Sequence, residues 1–246
     1  FWEEITQYDT WLRIFHSFVF LEKKEKHNKL GQSITEETLI FPRYHQFEAV
    51  TRMIDDARHN GPGHQYLCEH SAGSGKTKTI AWMAHNLIKL RYDDGQPYFH
   101  SVIIVTDRNV LDSQLQEAVI QLDHQQGMIE NIDKNERGGD SKSKRLAAAL
   151  TKPIPIIVVT IQTFPFAMEA IITERSLKDR SFTVIIDEAH TSQTGSTAHG
   201  LRAALSLDSK TQLEAMDLEA VLLEIQKSRV RPTNISHFAF TATPKH

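Results

Sequence analysis

The stretch His70-Ser71-Ala72-Gly73-Ser74-Gly75-Lys76-Thr77 decides the fold. Directly before it, Gln65-Tyr66-Leu67-Cys68 is short enough and apolar enough to be a buried strand. Directly after it, Thr77 to Arg91 places apolar residues at Ile80, Met83, Ala84, Leu87 and Ile88, a helical spacing. Strand, glycine-rich loop and helix, in that order, are the setting a phosphate-binding loop requires. Glycines let the backbone curl until several N–H groups point at one anion, and the helix N-terminus adds its partial positive charge. On this reading the backbone of Ala72, Gly73, Ser74 and Gly75 forms the cradle. The Lys76 ammonium reaches the β- and γ-phosphates and the Thr77 hydroxyl holds a metal ion, so ATP and Mg²⁺ are the expected ligands. One position departs from the pattern: the usual first glycine, five residues before Gly75, is His70.

Outward from the loop, four more apolar runs follow: Val102–Val105, Ile154–Val159, Val184–Ile186 and His237–Phe240. Helical stretches separate them, at about 109–122, 143–150 and 163–174, with two weaker ones near 199–206 and 212–227; residues 123–141 read as a loop. Strands alternating with helices predict an α/β fold, a mostly parallel sheet covered on both faces. Polar residues follow the strands: Thr106 to Arg108, Thr160 to Thr163, Asp187 to His190, and Thr241 to Thr243. In a parallel sheet those ends share one edge, where ligands bind. There Asp187 is placed to hold Mg²⁺ through its water shell and Glu188 to deprotonate an attacking water. Upstream, a helix is expected from Pro42 to His59. Residues 1 to about 20 carry a helical stripe heavy in aromatics, Glu22-Lys23-Lys24-Glu25-Lys26 reads as a solvated charge run, and Gly31 to Thr38 as a connector.

The 246 residues suffice for one large domain with an appendage. A formal net charge of −3 provides no global field for a polyanion, so any nucleic-acid contact is a local patch. The one cysteine, Cys68, excludes an internal disulfide and suits a reducing, cytoplasmic setting. No apolar run approaches the length of a membrane span. The 13 histidines are scattered and lack cysteine partners, which argues against a structural zinc site. An opening at Phe1 and an end two residues past Pro244 suggest a piece of a longer protein.

Gly73-Ser74-Gly75-Lys76-Thr77, Asp187-Glu188-Ala189-His190 and Thr241-Ala242-Thr243-Pro244 resemble motifs I, II and III of superfamily 2 helicases and translocases, in the right order. Tyr44-His45-Gln46 is similar to that superfamily's adenine-reading glutamine motif. Within the superfamily, Arg43-Tyr44-His45-Gln46, Ser71 to Thr77, Val105-Thr106-Asp107-Arg108, Gln162-Thr163-Phe164 and Asp187-Glu188-Ala189-His190 most resemble the restriction (motor) subunit of type I restriction-modification enzymes. The resemblance covers roughly 42–246 and implies a first RecA-like, P-loop motor domain with a three-layer sandwich. Residues 1–41 resemble, more loosely, the helical junction with an upstream nuclease domain. It implies that Gln46 reads adenine with Arg43 in support, and that His190, Thr241 and Thr243 couple nucleotide state to DNA grip. Thr106, Arg108 and Thr163 would then lie nearest DNA. The implied activity is ATP-driven translocation on double-stranded DNA leading to cleavage, with methyltransferase and specificity subunits as partners. A second motor lobe, which in such motors supplies an arginine across the cleft, lies outside these residues. Two other readings are an RNA helicase of the Asp-Glu-Ala-His kind and a nucleotide-gated interaction module without turnover of its own.

Overall fold

Side chains alternate between the two faces of every central strand, and that alternation builds the molecule. The computed structural model describes residues 2–27, 33–71, 73–106, 115, 117–122, 129–131, 142–152, 154–160, 163–173, 175–187 and 233–242. In β4 (Ser101–Thr106), Val102 and Ile104 join an apolar cluster with helices α3 (Tyr44–Asn60) and α4 (Lys76–Lys89). Ile103 and Val105 join a second cluster with α5 (Lys142–Thr151) and α6 (Phe164–Thr173). The strands β6 (Ile156–Thr160) and β7 (Phe182–Ile186) divide in the same way: Ile156, Val158 and Ile185 go one way, Ile157, Val159, Val184 and Ile186 the other. Both faces of the sheet are apolar, so both need a layer of helix, and the result is a three-layer α/β arrangement.

Among the described residues the sheet has six parallel strands in the order β3, β8, β7, β4, β6, β5, with β3 at Gln65–His70 and β8 at Ile235–Ala242. All five expected strands are present. The sixth, β5 (Ile129–Asn131), lies in the stretch expected to be loop. Three residues, two of them polar, carry no period that a sequence can show; pairing with β6, Ile129 opposite Ile156, is what makes them a strand. The helices near 199–206 and 212–227 lie outside the described residues, as do Ala72, Arg108, Glu188, His190 and Thr243.

The N-terminal region corrects the sequence reading most. The aromatic stripe forms α1 (Trp2–Ile5) and α2 (Tyr8–Ser17), but the charge run and connector form an antiparallel hairpin, β1 (Phe20–His27) with β2 (Ser33–Ile40). Cross-strand charge explains why it reads as polar: Lys23 stands opposite Glu37 with Nζ 2.9 Å from Oε1, and Lys24 opposite Glu36. Nor is Glu22 solvated. It is buried, with Lys24 at 3.0 Å and Lys78 of α4 at 3.2 Å. Burial alone would push its carboxyl up, but the two lysines hold it below the usual carboxylate range.

The same region shares a core with the rest. Ile14, Phe18 and Phe20 belong to the cluster under α4, with the Phe18 and Phe20 rings 5.8 and 6.2 Å from that of Trp82. The Trp82 indole Nε1–H donates to the Phe18 carbonyl at 2.8 Å, and Asn86 Nδ2 donates to the Ser17 carbonyl at 3.5 Å. Residues 1–41, expected as a junction, are in this part wedged against the helix that follows the glycine-rich loop. Cys68 is buried, which pushes its thiol up to about 11 and leaves it un-ionised at neutral pH. Among the described residues, no helix is long and apolar enough to cross a membrane.

Candidate nucleotide site

The loop from Ser71 to Gly75 links the end of β3 to the start of α4, as its sequence predicts. Gly73 and Gly75 have φ of 78° and 88°, the left-handed region that glycine enters without strain. At Gly75 space matters as well: a Cβ there would lie 2.6 Å from Gln46 Nε2. Gly75 is the N-cap of α4, whose first-turn N–H groups, Lys76 and Thr77 among them, have no partner within the helix.

The start of α3 holds the loop from one side. Gln46 Nε2 donates to the Gly75 carbonyl at 3.0 Å and the Ser74 carbonyl at 3.3 Å, and His45 Nε2 donates to the Ser74 carbonyl at 3.1 Å. The Gly75 carbonyl also accepts from the backbone N–H groups of Lys78 and Thr79, at 3.0 and 3.2 Å. With the carbonyls of Ser74 and Gly75 held toward α3 and into the helix, and the Ser74 N–H donating to the Ser71 carbonyl at 3.1 Å, the backbone N–H groups of Gly73 and Gly75 are left to meet an anion. The Ser74 hydroxyl is buried in this loop without a hydrogen-bond partner.

Opposite the loop stands Asp187. Its backbone N–H still pairs with the Val105 carbonyl at 3.0 Å, which fixes it at the C-terminal edge of the sheet. Its Oδ1 lies 3.4 Å from Lys76 Nζ, and both side chains are largely buried. A cation and a carboxylate from two crossover units, meeting beside a helix N-terminus, can receive an anionic ligand together with its divalent counter-ion. The residues present fit ATP with Mg²⁺: the cradle N–H groups, Lys76 and the orphaned Ser74 hydroxyl suit phosphate oxygens, and Thr77 and Asp187 offer the metal hard oxygen donors. Glu188, expected to activate water, and His190 lie outside the described residues.

Three expectations change. The glutamine motif implies that Gln46 reads adenine, yet its amide is buried and committed. Both its hydrogens go to loop carbonyls, and Oε1 accepts from the Arg43 N–H at 2.9 Å at the start of α3. Gln46 holds the loop, and contacting a base would first require breaking those bonds. Arg43 enters through its backbone, as N-cap. Thr106 and Thr163, expected nearest DNA, are 1% and 2% exposed, and Thr163 Oγ1 lies 3.3 Å from Thr160 Oγ1. Both lie in the interior, Thr106 as the last residue of β4 and Thr163 directly before α6. Thr241, half-buried, lies in β8 opposite Glu69 of β3, one residue before His70, and so beside the loop.

The sequence reading did not find the second histidine of the site at work. His70, in place of the first glycine, is 7% exposed, and its ring lies 5.6 Å from that of His45 and 6.3 Å from that of Phe240. Its Nδ1 is buried without a hydrogen-bond partner. Burial first, then the neighbouring His45 and Lys76, lower its pKa below the usual histidine value. The departure from the glycine pattern was the available signal.

The SWI2/SNF2 ATPase family model matches residues 45–212, more than half of the chain. No curated protein matches the sequence. Among solved structures, the DUF1998 helicase MrfA is similar at 13% identity and a TM-score of 0.44, over 82% of this chain and 27% of that one. The ATPase EscN of the enteropathogenic E. coli type III secretion system, solved with its central stalk EscO, is similar at 10% identity and a TM-score of 0.35, over 75% of this chain and 38% of that one. The chain thus spans well under half the length of either.

Proposed function

The chain belongs to the SWI2/SNF2 ATPase family, and from that premise we propose that it is the nucleotide-binding lobe of a motor that uses ATP to travel along double-stranded DNA, within a type I restriction enzyme. The observation that carries the nucleotide part is the meeting of Lys76 and Asp187 at 3.4 Å beside the glycine loop. Support for the restriction-enzyme part is the motif resemblance from Arg43 to His190.

When bound, ATP·Mg²⁺ supplies a phosphoryl group whose transfer to water is strongly favourable. The residues of this lobe bind and orient. With ATP·Mg²⁺ bound, Lys76 Nζ would pair with phosphate oxygens, and Thr77 and Asp187 would hold the metal. The N–H groups of Gly73 and Gly75, in a loop whose carbonyls Gln46 and His45 hold, meet the phosphates. Glu188 is assigned the proton of the attacking water at its carboxylate. A second RecA-like lobe closes the cleft, excludes bulk water and contributes an arginine, worth a factor of ~10³–10⁵ in rate. Residues 1–41 join this lobe to a nuclease, and methyltransferase and specificity subunits complete the assembly.

The test is steady-state phosphate release by the intact subunit, alone and with duplex DNA or RNA. Stimulation by duplex DNA, abolished by Lys76→Ala, is the expected result. Stimulation by RNA alone would replace the reading with an RNA helicase, and nucleotide binding without turnover under any condition would make the domain a nucleotide-gated module.

A further inference from the structure

We propose that His70 is a second cationic group of the nucleotide site: it takes up a proton when a polyphosphate occupies the loop and keeps it while the nucleotide stays bound. The proposal rests on the nucleotide reading above and deepens it. His70 is the last residue of β3 and leads directly into the loop. Its imidazole is enclosed, and its Nδ1 is a buried polar atom with no partner, a costly state that a ligand or a proton-dependent contact can relieve. The elements around the loop supply the following neighbours. His45 of α3 lies at 5.6 Å between ring centres. Lys76 of α4 is near enough for its charge to act on His70. Asp187 follows β7 and is engaged with Lys76. From β8 come the uncharged Phe240, at 6.3 Å, and Thr241. Glu69, the neighbour in β3, is exposed on the other side of the strand.

In the free site burial, then the neighbouring His45 and Lys76, disfavour a charge on His70, and Asp187 is already engaged by Lys76, so His70 stays neutral. A bound polyphosphate adds the negative charge that this place lacks. It brings several negative oxygens against the loop and draws Lys76 toward itself, so the charge that repelled a proton becomes part of an ion pair. Protonated His70 then lies at the base of a loop that holds an anion, in an enclosed place where the attraction is least screened. The sign follows: the pKa is low when free and higher when bound, so affinity grows as pH falls from the bound pKa toward the free one. Above both values the imidazole is neutral in both states and contributes nothing. If binding raises the pKa by about one unit, affinity gains at most about tenfold.

Calorimetric titration of residues 1–246 with ADP·Mg²⁺, at pH 6.0 and pH 8.0, in pairs of buffers with different ionisation enthalpies, measures both affinity and proton uptake. The same is done with His70→Gln, His70→Gly and Lys76→Ala, after circular dichroism and thermal melting confirm the fold. His70→Gly restores the usual glycine and serves if the glutamine disturbs packing. Titrations of the ligand's own phosphates are common to all proteins and cancel. Wild type should take up a larger fraction of a proton than either His70 variant and bind up to about tenfold tighter at pH 6.0 than at pH 8.0, a gain that both variants lose. Equal proton uptake in wild type and variants, with binding still abolished by Lys76→Ala, overturns the role of His70 and leaves the nucleotide site standing. No binding by wild type overturns both.

Discussion

Gly75→Ala tests whether α3 and the phosphate loop are one mechanical unit. At φ of 88° an alanine costs about 1–2 kcal/mol in backbone strain alone. Its Cβ would also lie 2.6 Å from Gln46 Nε2, so Gln46 must withdraw from at least one of its two loop carbonyls. Each such bond contributes about 1 kcal/mol net, which brings the expected loss of stability to about 2–4 kcal/mol. Gln46→Ala alone removes both loop bonds and the contact to the Arg43 N–H. The carbonyls of Ser74 and Gly75 keep His45 and the N–H groups of Lys78 and Thr79, so the cost is about 1–3 kcal/mol. In the double variant the new methyl meets no amide and only the strain remains. The double loss should therefore fall short of the summed single losses by about 1–2 kcal/mol. Urea denaturation of the four proteins measures this, with equal m-values as the check that one transition is being compared. Additivity within about 0.5 kcal/mol would refute the contact between Gln46 and the loop on which the description of the site depends.

Four further predictions follow from the same geometry. Lys76→Ala should abolish ATP·Mg²⁺ binding by calorimetry while leaving the far-ultraviolet spectrum of the folded chain unchanged; equal affinity would remove the loop from the site. Glu188→Gln in the intact subunit should still bind ATP but lose about 10²-fold or more in hydrolysis, the scale for removing a general base, read as single-turnover phosphate release. Residues 1–246 by themselves should release phosphate barely above background with or without duplex DNA, because one lobe cannot close the cleft; robust DNA-stimulated turnover by this lobe would contradict the need for an arginine from a second. His237 is buried in β8, and burial lowers its pKa from the usual histidine value to about 4, so the unfolded chain takes up a proton that the folded chain refuses. Stability should fall as pH drops from 6.5 to 4, by about 3 kcal/mol in all, and His237→Gln should flatten that slope in denaturation midpoints measured across the range.

The sequence showed the sheet clearly because both its faces are covered. Strands such as Ile156–Thr160 are buried along their whole length, and unbroken apolar runs at short spacing are easy to read. The glycine loop was legible for a different reason: positive φ at Gly73 and Gly75 leaves glycine as the residue that fits, so the requirement appears in the letters. The hairpin was hidden because charge pairing across strands, as between Lys23 and Glu37, looks the same in a list as a run of solvated charges. Gln46 was found and its contact mistaken. Motif position says that an amide is needed there, but an amide that donates to loop carbonyls and one that donates to a base have the same name. Thr106 and Thr163 misled similarly, since a polar residue at a strand end is legible while its burial is not.

The helix after the loop has a second set of attachments. Lys78, Trp82 and Asn86 recur every four residues along one stripe of α4, and all three reach the N-terminal segment, at Glu22, Phe18 and Ser17. The strut that carries the phosphate loop at one end is thus riveted along its flank to the residues before it. Tension applied to the chain ahead of residue 17 is delivered along α4, and so to the base of the loop, rather than dissipated in a slack tether. A tug at one end of the polypeptide and the seating of a phosphate at the tip of the helix are loads on a single beam.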